Sequence, residues 1–216
     1  MKEGVSMSKR DEHTKKVKEN ILNAADELLK TKGIEAVTVN NICKMAKVSV
    51  GSFYHHFSSK ENVLSHYLID AFEKRRESFE TINDEDIIRS LLQSYRLYNS
   101  FLLEKGYDFI VNYYVPSNRA IFSYNSRNVS KEDVPIVSIN EKLIEEALRK
   151  GYLRSDITAQ ELNSDLSVIE KGSILDWCVS EGSYDLLDHT NHLLKNYLMN
   201  YVTTKYKRKF LSGETK

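Results

Sequence analysis

The chain has 216 residues, 41% hydrophobic and 29% charged, with 31 Lys and Arg against 31 Asp and Glu, which allows one or two domains with a real core. Only eight glycines and two prolines occur, too few breakers for most strand-rich or loop-rich folds, so an all-α chain is expected. No apolar run approaches the roughly 20 residues of a membrane span, the polar start Met1–Arg10 lacks the apolar stretch of a secretory leader, and Cys43 and Cys178 lie far apart without metal-type spacing, so a cytoplasmic protein with no membrane partner is expected.

In chain order, residues 1–13 read as a polar, mobile tail. Val17, Ile21, Ala24, Ala25 and Leu28 follow helical spacing up to a stop at Gly33. Thr38 caps a second helix in which Val39, Ile42, Cys43 and Ala46 form one apolar stripe, leaving Asn40, Asn41, Lys44 and Lys47 outside. A break at Lys47–Val48 follows, and Ser49 caps a short third helix ending near Phe57. Ser58 and Glu61 have capping-box spacing for a fourth helix to about residue 80. Asp84–Asp86 open a fifth, to about Glu104, stopped by Gly106. A short helix over Tyr107–Val115, a loop over 117–133, a helix over Ile136–Lys150 and a capped helix from Thr158 to about Ser180 precede a last helix over about Tyr184–Lys207. The total is about nine helices and no strand.

The stretch from Thr38 to Lys60 carries the chemistry. Two short helices separated by a tight turn make a helix-turn-helix, whose second helix enters the DNA major groove. At about 100° per residue, Phe53 and Phe57 face inward, while Gly51, Ser52 and His55 centre on the outward face with Tyr54 and His56 beside them. Gly51 and Ser52 are small enough for close approach, and Ser52 can bond a base edge or a phosphate. Val50 leans toward the core by geometry, but its place at the helix tip also suits contact with a thymine methyl. Tyr54, His55 and His56 can donate to phosphates. Thr38 at its cap and Lys60 in the first turn of the next helix suit phosphate as well. The charge distribution agrees: residues 1–60 hold 11 Lys and Arg against 7 Asp and Glu, net +4, and the remainder 20 against 24, net −4.

Ala25, Leu28 and Gly33 in an A-x-x-L-x-x-x-x-G pattern, Thr38–Val39, and V-S-x-G-S-F-Y-H-H-F-x-S-K-E-N-V-L over 48–64 together resemble the tetracycline-repressor (TetR) family of bacterial regulators over about 50 residues. The resemblance implies DNA contacts at Thr38, Asn40, Ser49, Val50, Gly51, Ser52, Tyr54, His55, His56 and Lys60. Lys47 stands where the family usually has glycine. A lysine there must tolerate a left-handed backbone or shift the turn, at roughly 1 kcal/mol, and it adds charge beside the phosphates. The fold implied is an N-terminal three-helix helix-turn-helix domain over 14–60, the motif itself at about 38–57, plus a larger C-terminal helical domain over 61–216 for ligand binding and dimerisation.

Nine aromatics crowd residues 95–124, either as a ring-packed core or as a pocket for a small apolar or aromatic effector. Tyr95, Tyr98, Phe101, Phe109, Tyr113 and Phe122 are the candidate lining residues, with Trp177 from a later helix. The resemblance implies a homodimer through the last two long helices, and the candidate contacts are Ile169, Gly172, Ser173, Leu194, Tyr197, Leu198 and Tyr201. His189 and His192 share a helix face but read as solvated, so no metal is expected, nor a cofactor or a catalytic residue: no phosphate-binding glycine loop, G-x-S-x-G elbow or H-E-x-x-H helix occurs. The implied function is a repressor whose two heads bind half-sites about 34–36 Å apart. A ligand in the body shifts the fourth helix and releases the operator DNA. The alternatives are an activator or a regulator without an effector and, from another class, a helical small-molecule-binding protein or enzyme, whose ligand handling would ignore Tyr54→Ala and His55→Ala.

Overall fold

The computed structural model describes residues 9–73, 85–115, 118 and 135–211. Helix α1 spans Lys9–Lys32, so positions 9–13 of the expected tail are helical. Its Ile21, Ala24, Ala25 and Leu28 are buried, as the spacing predicts. Gly33 follows at φ 77, a conformation that a β-carbon would strain, and its N–H bonds the Leu29 carbonyl at 3.2 Å to close the helix. After a 3-10 turn over Ile34–Ala36, Thr38 accepts the Asn41 N–H at 3.2 Å and starts α2, Val39–Ala46. Ser49 accepts the Ser52 N–H at 3.0 Å and starts α3, Val50–His56. Ile42, Cys43, Phe53 and Phe57 fill the space beneath these helices, each large side chain contributing roughly 1.5–3 kcal/mol by leaving water.

Helix α4 spans Lys60–Glu73 and corrects one expectation. Its cap is Ser59, which accepts the Asn62 N–H at 3.2 Å, rather than Ser58 in a box with Glu61. Phe57 leaves α3 in an extended conformation, φ −137 and ψ 132, with its ring buried, and the chain uses Ser58 to turn back, so the helix starts one residue later. The chain divides into two units after Asp70, whereas the expected boundary was 60/61. The ring of Phe57 meets His66 at 5.5 Å within the first unit.

The second unit holds α5 (Ile87–Leu103), α6 (Tyr107–Tyr113), α7 (Pro135–Arg149), α8 (Ala159–Val179) and α9 (Leu186–Leu198). Asp86 caps α5 through the N–H groups of Ile88 and Arg89, both at 3.1 Å. Thr158 and Glu161 form the expected capping box of α8. Helices α5 and α7 pack together, as do α8 with α9, α8 with α7 and α9 with α5. Ile88, Leu91, Ile144, Leu162, Leu166, Leu194 and Leu198 form the core between them.

The single last helix is overturned. Helix α9 stops at Leu198, and the chain turns extended over Tyr201–Thr203. The Tyr201 carbonyl accepts from Arg154 N–H and the Thr203 N–H donates to the Tyr152 carbonyl, both at 2.9 Å, around an isolated antiparallel bridge between Leu153 and Val202. Thr203 then caps a three-residue helix α10, Thr204–Tyr206. Tyr206 is buried and its hydroxyl reaches both Asp86 carboxylate oxygens at 3.0 Å. Helical periodicity survives the turn by coincidence, because Val202 and Tyr206 bury into the same core as Leu198. Among the described residues there are nine α-helices of seven residues or more, besides α10. No helix among them is long and apolar enough to cross a membrane.

Candidate DNA-binding face and cavity

The turn between α2 and α3 runs through Lys47 and Val48. Lys47 adopts the left-handed conformation, φ 57 and ψ 43, so this lysine accepts the strained backbone rather than shifting the turn. The Val48 N–H closes on the Cys43 carbonyl at 3.1 Å. Beyond it, α3 presents the expected split. Phe53 and Phe57 are buried with ring centres 5.9 Å apart, and Gly51, Tyr54 and His55 are exposed with Ser52 and His56 half-buried. Val50 is 44% exposed, so it lies at the surface rather than in the core. Tyr54, 56% exposed, rests its ring edge-on against Phe53 at 5.4 Å, so an exposed side chain is aimed by a buried one.

Thr38, Asn40, Lys47 and Ser49 are exposed, and Lys60 is half-buried as the first residue of α4. The oxygens of Thr38 and Ser49 accept backbone N–H groups, so each hydroxyl still has its own hydrogen to donate. The Asn41 side chain bonds the Ala36 carbonyl at 3.0 Å and braces the loop before α2, a structural use for a residue whose position suggested only exposure. His56 is held below the usual imidazole pKa by burial, then by His55, Lys18 and His13.

In the second unit, α5, α6, α7 and α8 surround a cavity of about 40 Å³ lined by Tyr95, Tyr98, Tyr113, Tyr114, Ile136, Val137, Asn140, Asn163, Ser167, Glu170 and Lys171. That volume holds a few waters or one small organic group. Tyr95 donates to Asn163 Oδ1 at 3.4 Å, and Asn163 donates to the Val137 carbonyl at 3.0 Å. Ser94 bonds Asn140 behind the wall. Burial raises the Tyr95 and Tyr114 hydroxyls well above their usual range. Glu170 is buried, its Oε1 has no hydrogen-bond partner, and desolvation pushes its carboxyl up to about 7, against the opposing pull of Lys171.

Residues 21–67 match the family model for bacterial regulatory proteins of the tetR family. The N-terminal part of the chain is therefore similar to the DNA-binding part of that family. Among curated relatives, the transcriptional regulator QacR of Staphylococcus aureus is 28% identical over 59% of this chain and 61% of its own length. The regulator UidR of Escherichia coli K12 is 36% identical over 31% of this chain and 36% of its own. The chain thus spans about three fifths or less of the curated relatives it matches. Among solved structures, the TetR-family repressor FadR of Thermus thermophilus with lauroyl-CoA aligns at TM-score 0.68 and 21% identity over 84% of this chain and 93% of its own. FadR of Bacillus subtilis with stearoyl-CoA aligns at 0.54 and 17% over 83% and 97%. At such identities the structural likeness concerns the fold.

The aromatic expectation divides. Tyr95, Tyr98 and Tyr113 line the cavity, whereas Phe101, Phe109 and Trp177 do not. Phe101 packs against Phe72 at 6.2 Å, Phe109 stacks on Tyr113 at 5.8 Å, and Trp177 bonds the Tyr184 carbonyl at 2.9 Å and meets Tyr107 edge-on. Phe122 lies outside the described residues. Sequence reasoning passed over Glu170, although a signal existed: it sits one turn from Leu166 and one from Ile174, a charge on the buried stripe of α8.

The dimer expectation needs correction as well. Leu194 and Leu198 are fully buried in the chain's own core, and Ser173 bonds Thr190 at 2.7 Å between α8 and α9, so none of the three is at the surface. Tyr197 is half-buried and donates to Asp165 at 2.5 Å, and its hydroxyl meets that of Tyr201 at 3.1 Å. Ile169 is half-buried and Gly172 exposed. The exposed apolar face of α8 lies instead at Val168 (59% exposed), Gly172, half-buried Leu175 and Val179 (83% exposed), spaced i, i+4, i+7 and i+11 on one side of the helix. The His189 ring lies 4.7 Å from that of Tyr184, tilted by 56°, and His192 meets Asn196. Among the described residues no group of three His, Cys, Asp or Glu is placed to hold a metal.

Proposed function

We propose that the chain is a sequence-specific DNA-binding transcriptional regulator, a homodimeric repressor released from its operator when a small molecule occupies the tyrosine-lined cavity. The observation that carries this reading is α3: an outer face of Val50, Gly51, Ser52, Tyr54 and His55 raised on two buried phenylalanines and flanked by exposed Thr38, Lys47 and Ser49. The face has no Arg or Gln for a bidentate base contact, so specificity leans on close packing, Asn40 and DNA shape. The apolar stripe of α8 supports a second copy as partner, since contiguous exposed apolar surface often marks an interaction site. The acyl-CoA complexes of the two FadR structures support a small-molecule role for a domain of this fold. Helix α4 joins the two units along the chain, and a tenfold loss of operator affinity needs about 1.4 kcal/mol of coupling through it.

The test is fluorescence anisotropy with the DNA upstream of the chain's own gene. Binding should fall steeply with salt, and Tyr54→Ala or Ser52→Ala should weaken it by about 1–3 kcal/mol each. No complex at low salt would defeat the reading.

A further inference from the structure

A groove in the second unit lies apart from the tyrosine-lined cavity and shares no lining residue with it. It holds about 290 Å³, against about 40 Å³ for that cavity, and so approaches the size of ordinary small-molecule sites. Helix α5 contributes Arg89, Leu92, Gln93 and Arg96, spaced i, i+3, i+4 and i+7 and therefore on one face. Helix α9 contributes Asn191, Lys195 and Met199 at i, i+4 and i+8, and the chain beyond it contributes Tyr206 and Leu211. The bond from Tyr206 to Asp86 ties this last stretch to the start of α5.

The charges that line the groove are mostly of one sign. Arg89, Arg96 and Lys195 are exposed. Among the described lining residues Asp86 is the one anion, and its carboxylate already accepts the Ile88 and Arg89 N–H groups and the Tyr206 hydroxyl. Asp188 takes one guanidinium nitrogen of Arg96 at 2.7 Å, and a guanidinium carries five N–H donors. Arg89 and Arg96 stand about two turns apart, roughly 10 Å along the helix axis. Leu92, Met199 and Leu211, all half-buried, add apolar surface to the same lining.

From this arrangement we infer that the groove binds an organic anion with an apolar body, an aryl or alkyl carboxylate. Its acid group lies among Arg89, Arg96 and Lys195, and its hydrocarbon covers Leu92, Met199 and Leu211. This site is additional to the effector cavity, and its ligand binding does not depend on operator recognition. An inorganic anion would meet the cations but leave the apolar surface wet. An organic cation would meet three like charges.

The test uses the full chain with phenylbutyrate and phenylbutyramide, which differ by a charged oxygen in place of an amide nitrogen. Titration calorimetry should give the carboxylate at least about fivefold tighter binding, as expected of two or three partly exposed charge contacts. Added salt should shrink the difference. Lys195→Gln and Arg96→Gln, both at exposed positions, should each weaken the carboxylate by at least about twofold and leave the amide in place. The double variant should lose most of the difference. Lys171 lines the tyrosine cavity and is the alternative seat for an anion, so Lys171→Gln should keep the difference intact. Equal binding of the two probes, tighter binding of the amide or no binding of the carboxylate overturns the inference. So does a difference that survives the double variant or disappears with Lys171→Gln. Circular dichroism checks that the variants fold; if Lys171→Gln does not, the double variant still decides where the anion sits.

Discussion

Lys47 holds φ 57 and ψ 43, a conformation that costs an L-residue with a β-carbon roughly 1 kcal/mol and costs glycine nothing. The turn persists because Ile42, Cys43 and Phe53 on either side of it are buried and leave no other path for the backbone. Lys47→Gly is therefore expected to raise stability by up to about 1 kcal/mol in urea unfolding, whereas Lys47→Ala keeps the strain and should not. Both remove an exposed charge beside α3. If that charge meets a phosphate, both should weaken operator binding at low salt and reduce the slope of log affinity against log salt by about one. Unchanged slopes would remove Lys47 from the interface while leaving its structural role intact.

The helices begin where side chains close their first N–H groups, and these caps are testable one at a time. Ser59→Ala should destabilise the first unit by about 1 kcal/mol and Ser58→Ala by much less; the opposite order would restore the capping box that the sequence suggested. The turn after α9 makes a second case. Tyr206 joins the chain's last helical turn to Asp86 at the start of α5, across 120 positions of sequence. Tyr206→Phe removes one charge-assisted hydrogen bond, shared between the two Asp86 oxygens, and leaves the ring, so a loss of about 1.5–3 kcal/mol is expected. A loss confined to a few tenths of a kcal/mol would mean that ring burial alone holds the turn.

Glu170 bears on the stability of the whole chain. Its carboxyl titrates at about 7 in the folded protein, above the ordinary carboxylate range of an unfolded chain. Between those values the folded state holds a proton that the unfolded state has released, so stability falls as pH rises through the window, by at most about 3 kcal/mol, and is recovered on acidification. Urea midpoints measured from about pH 5 to about pH 8 should show this fall, and Glu170→Gln should flatten it. The α8 stripe bears on assembly. Val168→Asp with Val179→Asp places charges on an exposed face, where a lone chain tolerates them within about 0.5 kcal/mol. Sedimentation should then report a shift to monomer and anisotropy a large loss of operator affinity; a persistent dimer would place the interface elsewhere.

Periodicity and capping chemistry alone determined most of the helices, the turn at Lys47 and the inward phenylalanines of α3, while the residue pattern over 48–64 carried the resemblance to the tetracycline-repressor family. These signals are local: residues within one or two turns of each other decide them, through side-chain direction and the pairing of terminal N–H groups. Only the tertiary structure decided which helix faces were already spoken for. Leu194, Leu198 and Ser173 looked like partners for a second copy because an apolar stripe does not say what covers it, and the chain's own core did. The end of α9 was hidden because Val202 and Tyr206 return to the core with helical spacing after a turn held by Tyr152 and Arg154, some fifty residues away. The cavity was half readable: the tyrosines announced themselves by number, but Glu170 became significant only once α5, α6, α7 and α8 had closed around it and removed its water.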